Sequence, residues 1–197
     1  RYRDRMERER VRLQLQAVRS QVNPHFLFNS FNTLMELIEE DRDKALAHVG
    51  ELSEFFRNIL HVRDKDLITV EEELQLLYTY FGLERRRFGE RIGLEVELDD
   101  TVKATWLPPL TLQMLVENAL KHNVATREMP LVVTIRSEQE RILVCNPDRP
   151  RSTQQPSTGY GLESIRKRYA DITGDPIEVG RQDGAFCVRL PLVHQHP

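Results

Sequence analysis

Residues 21–34 read QVNPHFLFNSFNTL, one histidine and several amides set among large apolar side chains. Pro24 lacks a backbone N–H and clashes with the preceding turn, so a helix arriving there kinks and restarts. Turning about 100° per residue from His25, the side chains Phe26, Leu27, Phe28, Phe31, Leu34, Met35, Leu37 and Ile38 cover one wide arc. His25, Asn29, Asn32, Thr33 and Glu36 share the narrow opposite arc. His25 therefore faces outward at the kink, one turn before Asn29. With no second His, Cys or acid four residues on, a metal site there is disfavoured.

Upstream, Val11, Leu15, Val18 and Val22 follow the four-three-four spacing of a coiled-coil seam. Residues 1–20 carry seven arginines against three acids. A chain that opens on Arg1 with such a stretch reads as a piece of a longer protein, and the basic residues fit the cytoplasmic flank of a membrane segment. Downstream, a second amphipathic helix is expected from about Lys44 to Leu60, with Ala45, Val49, Leu52, Phe56 and Ile59 on one side. The short break EEDRD makes the two helices an antiparallel pair. Two such hairpins from two chains would bury both wide apolar faces in a four-helix bundle, so a homodimer is the expected state.

The chain has 197 residues, enough for a substantial core, with 28 basic against 31 acidic side chains. No global positive field exists to draw nucleic acid. The two cysteines, Cys145 and Cys187, lie in apolar, strand-like segments and read as reduced core thiols of a cytosolic domain.

A third helix should open at Thr69, with Glu72 three residues on as a capping box, and run toward RRRFGERI. Beyond it the pattern changes to that of a sheet. Ile92, Leu94, Val96 and Leu98 alternate as a half-buried strand, and PPLTLQMLVENALKHN (108–123) starts a helix behind two prolines. LVVTIRS and RILVCNP read as a hairpin, DRPRSTQQPST as a loop, GLESIRKRYADI as a helix, and IEVG and AFCVRLPLV as closing strands. The expected fold class is thus α+β: a helical segment over 1–68, then a helix-and-sheet domain over 69–197.

Two constellations in the second half suit an anionic ligand. On the helix after Pro109, Asn118, Lys121 and His122 fall at i, i+3 and i+4 and share a face. An amide oxygen is a hard donor suited to Mg2+, and an adjacent ammonium and imidazole suit phosphate oxygens. Gly159 and Gly161 stand where a helix begins, so bare N–H groups and the helix dipole can meet an anion closely. Taken singly, the polar face could be merely solvated and the glycines merely a turn.

In order along the chain, NPHFLFNSFNTL, RFGERI, LPPLTLQMLVENALKHN and GYGLESIRKRY resemble the phosphoacceptor box, the junction, the nucleotide-binding N box and the second glycine box of LytS/YehU-type sensor histidine kinases. The resemblance covers nearly everything from residue 20 onward. It implies a dimerisation and phosphotransfer domain followed by an α/β-sandwich ATP-binding domain of the gyrase, Hsp90 and histidine kinase type. By position, His25 is then the phosphoacceptor, Asn118 the Mg2+ ligand, Lys121 and His122 phosphate contacts, and Gly159, Tyr160, Gly161 and Leu162 the phosphate-cradling helix start. Asn29 would act on the phosphoryl group or on a water that dephosphorylates the partner. ATP and Mg2+ are the implied cofactors, residues 147–158 the implied lid, and a response regulator receiver domain, of LytTR type in one reading, the implied partner. An upstream inner-membrane sensor would complete the protein.

Two departures qualify the resemblance. Where such kinases read D-x-G-x-G, this chain reads NPDRP (146–150), so Asn146 stands at the adenine-reading Asp with both glycines gone, a substitution that points to the AlgZ/FimS-like branch. Asn keeps a carbonyl oxygen for the adenine amino group but not the charge. Many histidine kinases also carry an acid just after the phosphoacceptor, where this chain has Phe26. The leading reading is a kinase whose activity these changes weaken, and the alternative is a histidine-kinase-like dimeric scaffold that regulates its partner by binding or phosphatase action. A gyrase-like ATPase ranks last, since Met114 occupies the place of the acid that would activate water.

Overall fold

The computed structural model describes residues 24–152 and 160–194. The coiled-coil seam, the approach to Pro24 and Gly159 lie outside the described residues, as does the side chain of Tyr160. The chain divides into two compact units, residues 1–52 and 53–197.

The first unit holds α1 (Pro24–Glu40) and the leading part of α2 (Arg42–Val62). Asp41 alone separates them. Its carboxylate accepts from the N–H of Asp43 at 3.0 Å and of Lys44 at 3.2 Å, an N-cap that lets one helix stop and the next start without a loop. Those contacts, that of Lys44 first, hold the Asp41 carboxyl below its ordinary range. Facing turns are tied by His48, whose Nε2 lies 3.1 Å from the Ser30 carbonyl oxygen. A carbonyl only accepts, so Nε2 carries a proton, and the buried Nδ1 has no hydrogen-bond partner among the described residues. The wide arc of α1 splits in two: Phe26 is buried, whereas Phe28 is 70% exposed and Phe31, Met35 and Ile38 are exposed, as are Leu46 and Val49 of α2.

The second unit is α+β. After β1 (Ile68–Thr69), α3 (Val70–Phe88) opens with the capping box read from the sequence, Glu72 N–H donating to Thr69 Oγ1 at 3.1 Å and Thr69 N–H to Glu72 Oε2 at 2.9 Å. Val70, Leu74, Leu77 and Phe81 form its buried stripe. It ends at Gly89, whose φ of 62° lies in the left-handed region that glycine adopts without penalty. There follow β2 (Ile92–Glu97), the short α4 (Asp100–Lys103), β3 (Trp106–Leu107) and α5 (Thr111–His122). The chain closes with β4 (Leu131–Glu138), β5 (Arg141–Pro147), α6 (Tyr160–Thr173), β6 (Glu178–Gln182) and β7 (Ala185–Pro191). β1 and β3 make a small antiparallel pair, and the main sheet runs β2-β4-β5-β7-β6, parallel only at β2/β4. Along β4, Leu131, Val133 and Ile135 are buried while Arg136 is exposed, the alternation of a sheet packed on one face.

The expectation of free thiols is overturned. Cys145 and Cys187 are bonded to each other across β5 and β7, where the register sets them directly opposite. Read singly, each looks like a small core residue; the pairing of two strands 42 residues apart makes them neighbours. Closing a loop of that length stabilises a fold by at most about 4 kcal/mol. Cys145→Ser should therefore melt lower than the parent and no longer respond to reductant, and a parent whose melting ignores dithiothreitol would contradict the bond.

Candidate functional site

The cleft forms around α5, and what fixes α5 is a carboxylate from α3. Glu73, fully buried, accepts from the N–H of Leu110 at 2.7 Å, of Leu112 at 2.8 Å and of Gln113 at 3.3 Å, satisfying donors that the first turn of a helix leaves open. Leu110 has a φ of 63°, rare for a residue with a branched side chain, and its N–H is the one most closely held. Arg168 of α6 donates to the Pro109 carbonyl at 2.6 Å on the other side of the same turn. Burial pushes the Glu73 carboxyl up to about 7, against the three N–H donors and the Arg168 charge that draw it down.

Arg151 grips the far end of α5, its Nε donating to the Asn123 carbonyl at 2.9 Å and its Nη2 to that of Leu120 at 3.2 Å. A guanidinium is well placed there, at the negative end of the helix dipole. Asn123 is buried and works both ways: its Nδ2 donates to the Ala119 carbonyl, and its Oδ1 accepts the Arg149 N–H at 2.8 Å. Val124 N–H donates to Arg149 O, and Asp148 N–H to Gly184 O. NPDRP thus runs as an extended strap, paired first with the β6–β7 turn and then with the end of α5.

Held this way, the elements enclose a cleft of about 310 Å³. Leu115, Ala119, Val144 and Val188 form its apolar floor; Asn118, Lys121, His122, Asn146, Gly161 and Leu162, all picked out in the sequence, line it too. Gly161 stands so close to Asn118 that a Cβ on it would lie 2.9 Å from both Nδ2 and Oδ1. The His122 imidazole is held below its ordinary value by burial first and then by the charges of Lys121 and Arg151. Asn146 is buried, and its Nδ2 donates to the Pro147 carbonyl at 2.8 Å, which leaves Oδ1 as the acceptor the side chain offers.

Among the lining residues that sequence reasoning missed are Asp148, Arg181 and Phe186. Asp148 accepts from Arg181 Nε at 2.5 Å, and the same guanidinium lies 5.9 Å above the Phe186 ring. Asp148 was visible only as part of an altered motif, and Arg181 and Phe186 gave no signal before β6 and β7 paired. Among the described residues no cluster of three or more His, Cys, Asp or Glu side chains could hold a metal ion. In a site with Asn118 as protein ligand, phosphate oxygens and water must supply the rest of the Mg2+ shell.

His25 and Asn29 belong to the first unit. His25 is exposed on α1, and the Asn29 amide nitrogen lies 3.1 Å from its Nδ1 and 3.4 Å from its Nε2.

Known proteins bear on these two places. The family model described as histidine kinase matches residues 13–92, which include His25, Asn29 and all of α3. The sensor protein LytS of Staphylococcus haemolyticus is 37% identical over 177 residues, covering 82% of this chain and 30% of that protein. The sensor histidine kinase YesM of Bacillus subtilis is 31% identical over 172 residues, covering 83% of this chain and 30% of that protein. The chain thus spans about 30% of the length of these relatives. Among solved structures, the cytoplasmic segment of histidine kinase QseC matches at a TM-score of 0.47, with 18% identity over 78% of this chain and 95% of that one. On the sequence matches, the chain belongs to the LytS-type sensor histidine kinases.

Proposed function

We propose that this segment is the transmitter of a two-component sensor kinase, which transfers the γ-phosphoryl group of ATP to His25 and then to an Asp of a response regulator. The observation that carries the reading is the approach of Gly161 to Asn118: the start of α6 comes so near the amide, beside Lys121 and His122, that an added Cβ would force the Asn118 side chain to move. Bare backbone at a helix start, an amide oxygen and a cationic side chain together fit a polyphosphate and its Mg2+. Asn146 Oδ1 is the acceptor for an adenine amino group, so the loss of the acid at that position changes its strength rather than its sense. Asn118 ligates Mg2+, and Lys121 with the N-terminus of α6 spreads the charge that develops on the phosphoryl oxygens.

The working state is a homodimer, supported by the exposed Phe28, Phe31, Met35 and Ile38, an apolar stripe of the width two helical hairpins bury in a bundle. Domains of 1–68 and 69–197, an upstream membrane sensor, a place in the AlgZ/FimS-like branch and a LytTR-type regulator complete the proposal. Among the described residues no helix is long and apolar enough to cross a membrane. A cleft that keeps Asn118, Lys121 and His122 on its wall weighs against the inactive-scaffold alternative. The test is incubation with γ-labelled ATP and Mg2+: the parent should take up label, while His25→Gln and Asn118→Ala should not. Equal labelling of His25→Gln would end the assignment.

A further inference from the structure

The register of β5 against β7 sets Val144 opposite Val188, Cys145 opposite Cys187 and Asn146 opposite Phe186. Val144, Asn146, Phe186 and Val188 line the cleft. Side chains alternate along a strand, so the two bonded cysteines point to the other face of the sheet, one residue from the cleft wall on both strands. Across that face the row runs Thr134, Cys145, Cys187, Gly180, from β4 to the edge strand β6. Cys145 is half-buried and Cys187 buried. Yet, its chain neighbours apart, no heavy atom of the described residues lies within 4 Å of where a Cβ on Gly180 would stand. The side of Cys187 away from Cys145 is therefore open, whereas the side of Cys145 away from Cys187 carries the Thr134 side chain.

We propose that Cys145–Cys187 is a thiol–disulfide exchange site for a dithiol reductant, and that its bonded form holds the cleft in the shape that binds nucleotide more tightly. A thiolate of the dithiol approaches from the Gly180 side and bonds to Cys187 Sγ. The Cys145–Cys187 bond breaks, and its electron pair leaves on Cys145 Sγ, which takes up a proton. The second thiol of the reductant then attacks the reductant's own sulfur in the mixed disulfide and frees Cys187. The pair has gained two electrons and two protons, and the dithiol leaves as a disulfide. β5 and β7 stay paired from Arg141 to Pro147, so reduction loosens them without parting them. What loosens is the setting of Asn146 and Phe186, each next in the chain to one of the cysteines and each on the cleft wall. The exchange rests on this geometry alone, while its consequence rests on the nucleotide reading of the cleft.

Dithiothreitol is the probe, with free thiols counted by alkylation and mass spectrometry and the fold followed by circular dichroism. Both thiols should appear well below the melting temperature with the dichroism unchanged. Gly180→Val sets a branched side chain on the line of approach and should slow that reaction by about tenfold, with the Mg-ATP affinity of the bonded form unchanged. The reduced parent and the double variant Cys145→Ser/Cys187→Ser should each bind Mg-ATP about fivefold or more weakly than the oxidised parent. By reciprocity, saturating Mg-ATP should make the bond harder to reduce at equilibrium by the same factor. Reduction only together with loss of the fold overturns the exchange site, as does a Gly180→Val protein that reacts as fast as the parent. Equal Mg-ATP affinity in the two forms overturns the coupling. If exchange runs as described but neither form binds Mg-ATP, the nucleotide reading fails and takes the coupling with it, and the exchange site stands.

Discussion

Gly161→Ala is expected to lose Mg-ATP affinity by about a hundredfold or more, roughly 3 kcal/mol of binding energy, while its thermal stability stays close to the parent's. The added Cβ would lie 2.9 Å from Nδ2 and Oδ1 of Asn118 and 3.3 Å from its Cγ. Contacts that short do not persist, so something must move. The Asn118 side chain is short and ends at the cleft, so it swings away at little expense to the fold. What is lost is the position of the one amide assigned to Mg2+ and the close approach of the α6 backbone. Calorimetry with Mg-ATP beside a melting curve separates the two effects. An unchanged affinity would remove the Gly161–Asn118 contact from the nucleotide site.

The second large effect is on stability. Glu73→Ala deletes the acceptor of three backbone N–H groups at the buried start of α5 and leaves Leu110 in its left-handed conformation unsupported. Unsatisfied buried donors cost about 1–3 kcal/mol each, with partial relaxation by water, so a loss of about 3–5 kcal/mol is expected. Denaturant unfolding would show it as a lower midpoint, and a change below about 1 kcal/mol would mean that the turn does not depend on Glu73. The carboxyl also has a signature in pH. Its folded value, about 7, stands above the ordinary 4.5. The protonated form is therefore favoured by folding, and this group's contribution is full below about pH 4.5. It declines as pH rises through 7, by on the order of 3 kcal/mol in all. Glu73→Gln cannot titrate, so between pH 5 and 7.5 its stability should fall less than the parent's. A parallel pair of curves would contradict the raised value.

These two residues also mark what a sequence discloses. Asn118, Lys121, His122 and Gly161 were legible because helix periodicity and a glycine at a helix start are local signals, and the structure brings all four to one cleft. The capping box at Thr69 was legible for the same reason. Glu73 was not, because in VEEEL it is one acid of three and its partners lie 37 to 40 residues away. The cysteine pairing, the Asp148–Arg181 contact and the two-sided role of Asn123 depend likewise on strand register and on the path of the strap. His48 was silent in the sequence for a related reason: it is a buried link to the Ser30 carbonyl across the first unit, a role that composition and spacing do not encode. The sequence singled out the stretch NPDRP, and only the backbone pairing of the strap gave it content.

The measurement that bears most directly on the account is the location of the phosphoryl group after exposure to Mg-ATP. The protein is digested at alkaline pH and its peptides sequenced by mass spectrometry, with an acid-treated sample in parallel. A single phosphoryl group on His25, stable in base and lost in acid, is the result predicted. A phosphoryl group on another residue, or one that survives acid, would contradict the assignment of His25 as phosphoacceptor.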